Sequence, residues 1–143
     1  MREIPFSGRL DVTLACLLVV ERHGSVANRC VARDELTRDL LSLVGDIDAP
    51  PECLCDLDAF DVEIERALLR LVAAGWIEDR TTHGVARFAP QPVAQDALAW
   101  IRSRLLRDSR AVAAFDRLDE AVTARVLADY GQAVPSRGAT RRP

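Results

Sequence analysis

Apolar residues recur at helical spacing in three places in the first part of the chain, and a glycine follows each stripe. Leu10, Leu14, Leu17 and Leu18 predict a first helix over 10–22, broadened by Val19 and Val20. Gly24 supplies its stop, and His23 falls in its last turn, where the helix dipole favours it. Residues 28–32 are too few for more than one β-bridge. Leu36, Leu40, Leu41 and Val44 predict a second helix over 33–44, with Asp34 and Glu35 in the first turn and Gly45 at the end. The stretch 46–59 is acidic and broken by Pro50 and Pro51, so it reads as a loop. Ile64, Leu68, Leu71 and Val72 predict a third helix over 61–74, with Asp61 as N-cap and Gly75 as stop.

The period then changes. Residues 76–80 and 85–89 read as two short strands around the turn Thr81-Thr82-His83-Gly84, in which Gly84 takes a positive φ. Pro90 and Pro92 close this hairpin. From 93 to 130 there is neither glycine nor proline, and Leu98, Ile101, Leu105, Val112, Phe115, Val122 and Val126 keep a three-four spacing. Asp108 and Asp119 interrupt that stripe, which predicts one bent helix or two helices meeting near 108–110. A stripe this apolar needs a partner, and a second copy is the economical one. The division is a lead-in at 1–9, a body at 10–92, a helical dimerisation region at 93–131 and an arginine-rich tail at 132–143. The expected class is mainly α with a small β-hairpin.

The specific part is the segment with Ala67-Leu68, Leu71, Gly75, Trp76-Ile77 and Glu78-Asp79-Arg80. It resembles the recognition helix and first wing strand of bacterial winged helix-turn-helix regulators of the MarR and PadR types. Phe88-Ala89-Pro90 to Ala97-Leu98 looks like the wing's exit strand and the start of the dimerisation helix. The likeness spans roughly residues 10–105. It implies a homodimeric DNA-binding transcription regulator whose third helices enter successive major grooves. Arg66 and Arg70 would be the helix contacts, and Arg80, Thr81, Thr82, His83 and Arg87 the wing contacts. Leu98 to Val126 would form the dimer interface.

Charge changes this picture. The 143 residues carry 19 basic groups, all arginine, against 22 acids, a net charge of −3. An acidic body does not present the broad basic surface of an easy nucleic-acid binder. The third helix itself opens with Asp61, Glu63 and Glu65, and carboxylates there repel phosphate. The link before it is also longer than a helix-turn-helix turn. A winged-helix protein-interaction module, or a subunit of a larger complex, is therefore the alternative. In the plainer view, Arg66 and Arg70 pair with Glu63 and Glu65 on a solvated face, and Arg80 and Arg87 are cross-strand surface charges.

Hydrophobic residues at 49% allow a core, and aromatics at 5% favour helices over a sandwich. Trp76 and Trp100 are expected to pack in the core or an interface. No secretory signal and no span long enough for a bilayer is read, so the expectation is a cytoplasmic protein with reduced thiols. Cys30, Cys53 and Cys55, with His23, contain ligand types for a metal or redox sensor, a third alternative, but without a C-x-x-C pair. No cofactor is expected. No nucleophile–base pair, phosphate loop or paired-carboxylate motif points to an enzyme.

Overall fold

The computed structural model describes residues 12–46 and 57–130. Among them the order is α1 (Val12–Ala27), β1 (Val31–Ala32), α2 (Arg33–Asp46), α3 (Leu57–Ala73), β2 (Ile77–Asp79), β3 (Arg87–Pro90), α4 (Ala94–Arg104) and α5 (Ser109–Asp129). The chain is mainly helical with one small antiparallel sheet in the order β1-β3-β2. Val31 pairs with Phe88, and Ile77 with Pro90. None of the described helices is long and apolar enough to cross a membrane. Leu10, Cys53, Cys55 and the tail lie outside the described residues.

The first helix is the axis of the core. Every residue from Leu14 to Val20 is buried. A helix that is apolar all round must be covered on all sides. One side of α1 is covered by α3 and β3, and another by α5, with α2 and α4 also in contact. It runs past Gly24 to Ala27, so the expected stop is displaced. Asn28 makes the reversal instead, at φ 55°, with its amide on the Gly24 carbonyl. Asn tolerates this left-handed region better than most residues.

Burial of α5 against α1 corrects the assignment of its stripe. Leu98, Phe115, Val122 and Val126 are buried in the chain's own core. Ile101 and Leu105 pack against it, and Val112 is half-buried. The partner that the stripe demands is α1 of the same chain. Residues 93–130 form two helices, joined where Asp108 caps α5. The Asp108 carboxylate accepts from the amides of Arg110 at 3.0 Å and Ala111 at 3.2 Å. The other interruption, Asp119, accepts from Arg22 Nε at 3.0 Å and Nη2 at 2.8 Å, tying α5 to α1.

Two helix limits also differ from expectation. The third helix begins at Leu57, so Asp61 lies inside it and is no N-cap. Phe60, now on its buried face, joins Ile64, Ala67, Leu68 and Leu71 in the core. On α2 the buried stripe is Leu36, Leu40 and Leu43, leaving Leu41 38% exposed. The hairpin tip is a two-residue turn, with His83 at φ 51° and Gly84 at φ 77° between Thr82 and Val85. Two positive φ values match the twist of the flanking strands.

Candidate functional site

The exposed side of α3 carries Asp61, Val62, Glu65, Arg66, Leu69 and Arg70. Its stripe of Ile64, Leu68 and Leu71 is consumed by the core, so helical geometry sends these residues outward. Beside it, α2 contributes Arg33, Asp34, Thr37, Arg38 and Leu41 to an open groove of about 560 Å³ that Asp61 and Glu65 also line. Three large apolar side chains stand in water here: Leu69 at 61% exposure, Val62 at 46% and Leu41 on the rim of the groove.

The arginines on this surface already have partners. Arg33 spans the groove, with Nη2 2.7 Å from Asp61 Oδ1 and Nε 3.4 Å from Glu65 Oε1. Its Nη1 also donates to Thr37 Oγ1. Arg66 lies 3.8 Å from Glu63 Oε2. Arg70 turns toward the start of α1 and donates to Thr13 Oγ1 at 3.1 Å. On the hairpin, Arg80 lies 3.1 Å from Glu78 Oε1, and its Nη1 donates to Cys30 Sγ at 3.7 Å. Its hydrogen bond to Glu78 holds that guanidinium above its ordinary range.

The remaining wing residues are held locally. Thr81 donates its amide and hydroxyl to Asp79 Oδ1, and the Thr82 hydroxyl donates to the Arg80 carbonyl. His83 is exposed at the tip, while Arg87 is half-buried in β3 opposite Ala32. Helix and hairpin thus bring the seven candidate contacts to the surface, but not as an uninterrupted positive patch. Cys30 is half-buried beside Arg80 and is no part of a ligand cluster among the described residues. At the end of α4, Trp100 is 57% exposed under the Arg104 guanidinium at 5.2 Å, so it is not core.

Sequence reasoning missed a second cluster, on the opposite side of α2. His23 and Asp39 are each 1% exposed, with Nε2 3.0 Å from Asp39 Oδ2. Nδ1 lies 2.6 Å from Tyr130 Oη. Asp129 approaches from the end of α5, with Oδ2 3.9 Å from His23 Nε2. Arg125 Nη2 holds the other Asp129 oxygen at 3.3 Å. Burial, with Asp39 adjacent, pushes the Asp129 carboxyl up to about 6. Burial also raises the Tyr130 phenol. His23 is not a solvated last-turn residue, because α1 continues beyond it. The histidine and the two aspartates lie far apart in the chain, and only the packing of α1, α2 and α5 unites them. No protein-family model, curated protein or solved structure matches the chain.

Proposed function

We propose that the chain is a winged-helix module that docks on a protein partner through the outer face of α2 and α3. The element order, the central place of β3 and a hairpin following directly on α3 support the winged-helix reading. One observation carries the docking reading. Leu69 and Val62 are exposed on the outer side of α3, where a DNA-reading helix would present polar and basic groups, and Leu41 is exposed in the neighbouring groove. Phosphate binding draws its affinity from cations that displace counterions, and here Arg33, Arg66 and Arg80 already face carboxylates. The partner that fits offers apolar side chains flanked by lysine or arginine. The apolar groups cover Leu69, Val62 and Leu41, and the basic ones compete with Arg33 and Arg66 for Asp61, Glu65 and Glu63.

The second reading is the DNA-binding homodimer, favoured by Arg66 and Arg80 remaining more than half exposed. One experiment separates the two. The protein is titrated onto labelled duplexes, its own upstream region and a scrambled control, at low and near-physiological salt. In parallel, wild type, Leu69→Asp and Arg66→Ala/Arg70→Ala are compared as baits. The docking reading expects no salt-resistant duplex binding and a partner lost with Leu69→Asp but kept with the double arginine variant. Duplex binding that survives salt, exceeds the control about tenfold (about 1.4 kcal/mol) and vanishes with the arginines overturns it.

A further inference from the structure

We propose that His23, Asp39 and Asp129 form a site for one divalent transition-metal cation, with Zn²⁺ the best suited, that pins the end of α5 to α1 and α2. The proposal is independent of the docking surface. His23 Nε2 and one carboxylate oxygen from each aspartate lie within 4.8 Å of one another. Donors about 2.0–2.2 Å from a tetrahedral Zn²⁺ stand about 3.3–3.6 Å apart. The observed 3.0 Å and 3.9 Å from Nε2 to the two aspartates bracket that spacing, so small side-chain rotations close the site.

Three further observations point to a ligand. Asp129 Oδ2, one of the proposed donors, is buried and has no hydrogen-bond partner; Asp39 Oδ1 is likewise without one, 4.0 Å from the equally unpartnered Nε of Arg125. Such orphaned oxygens are uncommon, and a bound ion is one of the few things that satisfy them. Tyr130 Oη sits at the far ring nitrogen, where it accepts from Nδ1–H and leaves Nε2 for the metal, as outer partners of metal-bound histidines do. The Asp129 side chain is 12% exposed, so water can reach a fourth position, while Arg125, 3.3 Å from Asp129 Oδ1 and 4.0 Å from Asp39 Oδ1, is the cation that a metal competes with.

The donor set selects the class of ion. One imidazole and two carboxylates neutralise a dication and suit zinc and its neighbours. Calcium and magnesium prefer six or more oxygens and are poorly served by three donors. In the metal-bound state the neutral imidazole carries its one proton on Nδ1, facing Tyr130 Oη, and the hydrogen bond between Nε2 and Asp39 gives way to shared coordination.

The test uses the full chain, stripped with chelator and titrated with ZnCl₂ at pH 7.5 by calorimetry, with thermal melts alongside. Co²⁺ serves as a spectroscopic stand-in whose visible bands report tetrahedral ligation. Wild type is expected to bind one equivalent, to gain at least about 5 °C at saturation and to show those bands. Asp129→Asn, with its fold confirmed by circular dichroism, should lose affinity about tenfold or more. Arg125→Gln, which removes a competing cation, should bind more tightly. Cys53→Ser/Cys55→Ser should bind as wild type does. The proposal is overturned by no saturable binding to wild type, by equal affinity in Asp129→Asn, by weaker binding in Arg125→Gln, or by loss in the cysteine variant.

Discussion

At Gly24 a single methyl group decides how closely α1 can lie against β3. A Cβ there would stand 2.5 Å from Pro90 Cγ and 2.7 Å from Cδ, and the proline ring cannot rotate away. Alanine favours a helix by about 1 kcal/mol over glycine, so propensity alone would make Gly24→Ala stabilising. Overpacking opposes it by about 1–3 kcal/mol, and the expected outcome is a lower urea midpoint; a higher one would mean that the two elements stand further apart. A stop at Gly24 is the natural reading of the local sequence, because Pro90 is remote in the chain and only the fold brings it there. Asp129 behaves in the same long-range way, raised from 3.8 to about 6 by burial and Asp39, with Arg125 and His23 opposing. Below about pH 3 the carboxyl is protonated in both folded and unfolded chains and makes no difference. As pH rises toward 6 the unfolded chain ionises first, so stability is lost, and the loss is complete above that range. In chelator, Asp129→Asn should therefore match wild type at pH 3 and exceed it at pH 7.5, by at most about 1 kcal/mol for a partly solvated group. Denaturant melts at the two pH values check this, and an equal gap at both would remove the ionisation argument.

Among the elements, periodicity finds every described helix and the hairpin, while capping and limits depend on particular side chains. Asp108 and Asp119 stand out in the sequence as acids in an apolar stripe. Asp108 caps α5, and Asp119 binds Arg22. The cap is the reason that 93–130 divides in two. Replacing Asp108 with alanine removes the acceptor for two amides and should cost about 1 kcal/mol. Asn at the same position should retain most of that stability, so a melt series of Ala, Asn and wild type separates capping from charge. The start of α3 is harder to read. The acidic stretch before Asp61 conceals a helical repeat, yet Phe60 stands four residues before Ile64 and is 1% exposed. Sequence places the candidate contacts on α3 and the hairpin, and the structure puts them at the surface there. Their ion pairing is legible only for Arg66 with Glu63, neighbours on one helix; the bridge from Arg33 across to Asp61 and Glu65 needs the packing of α2 on α3.

For the whole molecule, the question is which surface covers α1. Seven consecutive buried residues, Leu14 to Val20, cannot be covered by α2, α3 and a hairpin on one side alone. The unbroken run is visible in the sequence, where it passes for a broad stripe although it is a helix needing cover all round. Taken that way, it calls for an element from the same chain, and α5 supplies one through Phe115, Leu118, Val122 and Val126. The α5 stripe is therefore part of the monomer's core, so a dimer, if one forms, uses other residues. Val122 has no exposed surface, and Val122→Ala should destabilise by about 1–3 kcal/mol through lost burial and the cavity left behind. The same prediction has a second arm that a dimer interface would not share. If Val122 is buried within one chain, the melting midpoints of wild type and variant should both be unchanged over a hundredfold range of protein concentration, since unfolding is then unimolecular. A midpoint that rises with concentration in wild type, with the rise lost in Val122→Ala, would instead place the residue between two copies.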